Sequence, residues 1–165
     1  MKTELLSKRY DVTVLQKSDI PDVMSLCLGN PQYYRYCPPF VTEESIASDM
    51  KALPDGKTAE DKFYLGFWDG KTLVAVLDLI IKYPNTKTAF IGFFMVNAQV
   101  QGKGIGSALV DDIEEYLKEA FSYIRLGYVK GNKQSESFWV KNGFKPTGVT
   151  VKGEEYEMVV MEKEI

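Results

Sequence analysis

Apolar and polar positions along this chain change period several times, between two residues and 3.6, and each change marks a new element. Tyr10 to Leu15 alternates as a short strand. Ser18 is placed to cap a helix running through Val23, Met24, Leu26 and Cys27, with Pro21 tolerated in its first turn. Asn30 to Pro39 reads as a turn-rich stretch containing Tyr33, Tyr34 and Tyr36. Thr42 caps a second helix, with Ile46, Met50 and Leu53 on one face ahead of Pro54, and the polar residues from Lys57 to Lys62 read as a loop.

A block of strands follows. Phe63 to Trp68 meets Thr72 to Tyr83 through Asp69-Gly70, the strongest short hairpin signal in the chain. Pro84-Asn85 turns into a third strand, Thr88 to Val96, where the alternating sets Phe90/Phe94/Val96 and Ile91/Phe93/Met95 are both apolar. A strand apolar on both faces belongs in the middle of a covered sheet. From Gly104 the period becomes helical: Leu109, Val110, Ile113, Tyr116, Leu117, Ala120 and Phe121 form one stripe, with acidic residues opposite. Tyr123 to Val129 returns to strand. Asn132 caps a short helix ended by Gly143, and Phe144 to Lys152 with Tyr156 to Glu162 closes as a hairpin around Gly153-Glu154. No linker or repeat interrupts this order, so residues 1–165 are expected to form one α+β domain.

Composition narrows the chemistry. The chain is 45% hydrophobic and 26% charged, ordinary for a globular protein, and its net charge of −3 gives no broad basic field for nucleic acid. It contains no histidine, and Cys27 and Cys37 lack metal-ligand spacing; Ser-His and Cys-His nucleophile pairs and most zinc sites are thereby excluded, and no metal is expected. Two reduced thiols, no apolar leader at Met1 to Arg9 and no apolar run near the ~18 residues of a membrane span make a cytoplasmic protein the expectation.

The conspicuous chemical feature is Gln101-Gly-Lys-Gly-Ile-Gly106. A P-loop would require glycine at 97, which is Asn97, and the dinucleotide fingerprint would require glycine at 107, which is Ser107. The pattern Gln/Arg-x-x-Gly-x-Gly/Ala fits Gln101, Gly104 and Gly106 without mismatch. A loop opening into a helix near Gly104 presents the first helical amides without internal partners, and Gly102, Gly104 and Gly106 allow a ligand close approach. An anion there meets several N–H donors and the positive end of the helix dipole. A tight strand-to-helix turn, with Lys103 a solvated charge, is the structural alternative.

At this point the chain resembles the GCN5-related N-acetyltransferase (GNAT) superfamily. The resemblance rests on Ile91-Gly-Phe-Phe-Met-Val96 followed by the glycine turn, and on Asn132 to Phe144, which is similar to the family's Asn-x-x-Ala-x-x-Phe-Tyr-x-x-x-Gly-Phe segment. It implies a mixed, mostly antiparallel central sheet of about seven strands flanked by about four helices, with splayed central strands forming a V-shaped acyl-CoA slot. It further implies acetyl-CoA as co-substrate and transfer of an acetyl group to a primary amine by direct attack in a ternary complex. By the same resemblance Phe94, Met95 and Val96 face the pantetheine arm. Gln101, Gly102, Lys103, Gly104, Ile105, Gly106 and Ser107 hold the diphosphate, and Asn132 reaches the pantetheine or the thioester; read by itself, Asn132 is a helix N-cap. Tyr33 and Tyr34 lie in the segment that covers the acceptor. The expected partner is a small-molecule or peptide amine, with a homodimer compatible and no membrane involved.

Two departures bear on catalysis. Trp139 occupies the position where the family carries a tyrosine taken as general acid, and an indole N–H does not transfer a proton usefully near neutral pH. The acid role then falls to Tyr128, to water or to another tyrosine. The central strand carries no carboxylate from Ile91 to Val96, and Asp78, set among apolar neighbours, is the most conspicuous substitute base. Asp78 either lines a cleft or is paired, or else marks an exposed strand face; Glu43, Glu44 and Asp49 read as helix-surface charges. These departures keep open a non-catalytic acyl-CoA-binding module of the same fold. An unrelated nucleotide-phosphate enzyme is a weaker third reading.

Overall fold

A computed structural model describes residues 1–165. Seven strands form one sheet in the order β1-β2-β3-β4-β5-β7-β6. They are β1 (Asp11–Val14), β2 (Lys62–Asp69), β3 (Thr72–Ile81), β4 (Thr88–Val96), β5 (Tyr123–Val129), β6 (Lys145–Lys152) and β7 (Glu157–Glu164). Five α-helices accompany them: α1 (Ile20–Leu28), α2 (Pro31–Tyr36), α3 (Glu43–Asp49), α4 (Ile105–Leu117) and α5 (Lys133–Lys141). Every neighbouring pair is antiparallel except β4 with β5, which run parallel because α4 crosses between them. No helix is long and apolar enough to cross a membrane.

The sheet separates two apolar clusters. One face packs Leu65, Leu77, Leu79 and Leu126 under α4 and Trp139; the other packs Val76 and Met95 under Val23, Leu26 and Ile46 of α1 and α3. Leu109, Val110, Ile113 and Leu117 of α4 are each only 1% exposed. Burying such side chains contributes about 1.5–3 kcal/mol apiece as an upper bound, which is what holds α4 on the sheet.

Three local expectations are corrected. The stretch after Asn30 is a helix: Pro31 occupies its first position, and only the Cys37 to Pro39 segment turns. Ser18 is not a cap, because Gln16 and Asp19 form a capping box around the 3₁₀ turn that leads into α1. α3 stops at Asp49, so Leu53 lies beyond the helix and is 37% exposed.

Within β4 the two apolar sets do not stay on their own faces. Asp78 pairs with Phe93 while Leu79 pairs with Ile91, so Gly92 is an extra residue. Side-chain parity reverses there: Ile91 shares a cluster with Phe94 and Val96, while Phe93 and Met95 turn to α1 and α3.

Candidate active site

β4 and β5 pair only from Thr88/Tyr123 to Ile91/Leu126. Beyond that point Gly92 bulges, the strands part, and a slot opens between Phe94 on one side and Gly127 and Tyr128 on the other. Asn97 donates its N–H to the Val74 carbonyl on β3 at 2.8 Å. Strand alternation then turns the backbone groups of Phe94 and Val96 away from β3, toward the gap that β5 has left. Met95 is not brought to the slot. Its backbone has the parity of Asn97 and its side chain, 5% exposed, belongs to the α1/α3 core.

β4 ends against the start of α4: a Cβ on Gly106 would lie 3.4 Å from Val96 Cγ2. Gly104 is the N-cap of α4, in the left-handed region at φ 79°, and no side chain caps the helix. Ala108 is the first residue to donate back into the helix, to the Gly104 carbonyl at 3.0 Å. The N–H groups of Ile105, Gly106 and Ser107 therefore have no helical acceptor. The first turn carries no acidic residue either, whereas Thr42 and Asn132 cap α3 and α5 with their side chains. Gly102 has φ 76°, and an added Cβ at Gly102 or Gly104 would meet nothing within 4 Å, so this surface is open to a ligand. Gly106 serves packing: a Cβ there would lie 3.0 Å from Phe138 of α5. Lys103 is exposed beside the turn.

The Gln101 side chain points inward. Its Nε2 donates to the Val96 carbonyl at 2.8 Å and to Asn30 Oδ1 at 2.7 Å. Asn30 Nδ2 donates to the same Val96 carbonyl at 3.2 Å and to Leu26 at 2.9 Å. Gln101 thus ties the turn to the end of β4 and to α1, and the Val96 carbonyl is already taken. Asn30 was invisible as a site residue because its partners lie far along the chain.

At the other wall, Asn132 is 4% exposed and its Oδ1 accepts the Ser135 N–H at 3.1 Å, a helix cap that also lines the slot. Trp139 is 6% exposed within an aromatic cluster, its ring 5.9 Å from Phe94, 4.9 Å from Phe138 and 5.1 Å from Phe144. It is core and slot wall together. Tyr128 lines the same slot; burial first, and then the Glu136 carboxylate, hold its phenol above the ordinary value.

Asp78 is brought to neither an exposed face nor the slot wall. It is buried, and Lys62 Nζ donates to its two oxygens at 2.7 and 2.8 Å. Burial raises its carboxyl above the usual range more than the Lys62 ammonium lowers it.

On the α1/α3 side a second cavity of about 230 Å³ adjoins the slot, and Tyr33 and Phe93 line both. Tyr34, Tyr64 and Tyr156 complete its aromatic wall, and Asp49 is its only carboxylate. Burial raises the Asp49 carboxyl, with Lys62 opposing. Asp49 is the exposed helix charge that the sequence suggests, and it also borders the cavity; Tyr64 and Tyr156, from β2 and from the β6–β7 connection, carry no local signal. Glu43 and Glu44 are exposed, and hydrogen bonding to the backbone lowers the Glu44 carboxyl.

The acetyltransferase (GNAT) family profile matches residues 30–144. The chain belongs to the GNAT acetyltransferase family. Its fold is shared with an acetyltransferase from Thermus thermophilus, at TM-score 0.77 and 17% identity, over 98% of this chain and 99% of that one. It is also similar to a Salmonella typhimurium acetyltransferase that modifies the N-terminal serine of ribosomal protein L7/L12 (TM-score 0.72, 15% identity, 97% of each chain). A third GNAT structure, the PaiA N-acetyltransferase of Thermoplasma acidophilum in complex with coenzyme A, aligns at TM-score 0.64 and 20% identity, over 94% of this chain and 98% of that one. No curated protein sequence matches this GNAT chain.

Proposed function

We propose that the protein is an N-acetyltransferase that moves an acetyl group from acetyl-CoA to a primary amine by direct attack in a ternary complex. The observation that carries this reading is the parting of β4 from β5 beyond Ile91/Leu126, which opens a slot along a strand whose last residue, Val96, packs on the uncapped start of α4. The N–H groups of Ile105, Gly106 and Ser107 and the helix dipole hold the diphosphate, with Lys103 adding charge from the rim. Phe94 presents its backbone N–H and carbonyl to the pantetheine arm as an added strand would receive them, and Val96 presents its N–H. Asn132 contributes its side-chain amide N–H, since its oxygen is engaged in the cap.

Acetyl-CoA supplies the electrophilic thioester. The protein's work is alignment and proton management. An alkylammonium with pKa near ~10.4 must lose a proton at a cost of roughly 4–5 kcal/mol at neutral pH, whereas a thiolate of pKa near ~8.5 needs little help to leave. Asp78 is unsuited to be that base while Lys62 holds both its oxygens; it braces the bulge instead. Tyr128 remains a neutral O–H at the slot and donates toward the departing sulfur, a role Trp139 cannot fill by proton transfer.

Trp139 and the tethered Asp78 favour one other reading, a non-catalytic acyl-CoA-binding module. Calorimetry with acetyl-CoA, joined to a thiol-release assay over a panel of amines, separates the two. Binding with turnover on at least one amine supports transfer, and binding with none supports the module. Absence of binding overturns both.

A further inference from the structure

The cavity beside the slot carries a consistent chemistry. Five aromatic rings, Tyr33, Tyr34, Tyr64, Tyr156 and Phe93, face a space whose only charged lining residue is Asp49. No lysine or arginine lines it; Lys62, whose ammonium lies 5.8 Å from the Tyr64 ring centroid and opposes the rise of the Asp49 carboxyl, is bound to both oxygens of Asp78. Ring faces carry negative quadrupole potential, and a low-dielectric cleft lined by one sign of charge concentrates ions of the other. Burial holds the Tyr33, Tyr34 and Tyr64 phenols above their ordinary value, so at neutral pH the rings stay uncharged. Tyr156, pushed up to about 12 chiefly by the neighbouring Cys37 thiol, does the same.

Size sets a second limit. A cavity of about 230 Å³ is small beside the roughly 300–1,000 Å³ of sites that take drug-sized ligands. It takes one ring or a short aliphatic chain with its amine. The remaining wall, with Cys27, Pro38, Val41 and Ile46, is apolar apart from Ser45, whose hydroxyl is already bonded to the Thr42 backbone.

Resting on the acyl-transfer reading above, we infer that the acceptor is a small monocationic primary amine with an apolar, ring-sized body and no carboxylate. Its body fills the aromatic cavity and its nitrogen meets the slot between Tyr33 and Phe93. An acceptor bearing its own carboxylate would face Asp49 with no lysine or arginine in the lining to pair with it, and would be rejected.

The test uses the full chain saturated with CoA, which lacks the acetyl group, so binding is read without turnover. Phenethylamine, phenethyl alcohol and phenylalanine share one skeleton and are titrated by calorimetry. Phenethylamine should bind at least tenfold more tightly than the other two, and Asp49→Asn should remove most of that preference while leaving CoA affinity unchanged. Equal affinities, a preference for phenylalanine, or a preference that survives Asp49→Asn would overturn the inference. So would tighter binding of a short peptide with a free N-terminus, which would make the cavity a peptide site. Failure of CoA itself to bind in the preceding titration would overturn the acyl-transfer reading and this one with it; CoA binding without amine preference overturns this one alone.

Discussion

Asp78 lies against Gly92: a Cβ built on that glycine would stand 2.7 Å from Asp78 Oδ2. The carboxylate is not free to swing aside, because Lys62 grips its two oxygens. The bulge that reverses β4 and opens the slot is therefore seated on a buried ion pair. Gly92→Ala should force either the carboxylate or the bulge to move, destabilising the fold by about 1–3 kcal/mol. Because the glycine turn proposed for the diphosphate lies elsewhere, acetyl transfer should fall at least tenfold while CoA affinity changes little. Denaturant melts, calorimetry and initial rates on the same variant check this.

Removing Lys62 should leave a pH signature. The side chains of the pair are only 5% and 12% exposed, and taking one partner from a buried pair costs about 3–5 kcal/mol. The folded pKa of Asp78 already lies above its unfolded value. A raised carboxyl contributes stability that is present below the unfolded pKa and is lost as pH rises through the folded pKa. Lys62→Met raises that folded pKa further. The deficit relative to wild type should thus be largest at neutral pH and shrink on acidification, as Asp78 takes up a proton and no longer needs the ammonium. A deficit independent of pH between about 4 and 8 would mean that the pair is not the cause.

Much of this arrangement was legible in the sequence, and the rest was hidden for definable reasons. Asp69-Gly70 marked its hairpin, Asn132 its cap and the two-sided apolarity of β4 its central place, because each signal is local. The reversal at Gly92 escaped, since a strand apolar on both faces looks the same in either parity. Asp78 could be read as exposed or buried until Lys62 was seen beside it, 16 residues away in sequence. The same holds for Gln101, whose partner Asn30 is 71 residues distant, and for Tyr64 and Tyr156, which only folding brings to Asp49.

The Asn30–Gln101 tie yields a separate expectation. Asn30→Ala removes the Oδ1 acceptor of Gln101 Nε2, one donor to the Val96 carbonyl and the hydrogen bond to Leu26. The loss in stability should be about 1 kcal/mol. The glycine turn, freed from α1, should bind acetyl-CoA roughly three- to tenfold more weakly, a shift of the size that one such hydrogen bond provides. Unchanged affinity would show that the turn keeps its place without the tie.

Trp139 should prove structural before anything else. Trp139→Ala empties the space among Phe94, Phe138 and Phe144 and should cost about 3–5 kcal/mol. Trp139→Tyr retains most of the packing, should lose under about 1.5 kcal/mol, and should keep CoA affinity within about twofold. Equilibrium denaturation of both variants distinguishes them.

The central claim is that the start of α4 holds the CoA diphosphate, and one pair of variants tests it most directly. Gly104 has a left-handed backbone that both asparagine and aspartate tolerate, and the space above it is open. Gly104→Asn and Gly104→Asp have nearly the same shape and differ by one negative charge. Calorimetry with CoA should show measurable binding for the asparagine variant and at least a hundredfold weaker binding for the aspartate variant. Equal affinity in the two would contradict the placement of the diphosphate at this turn.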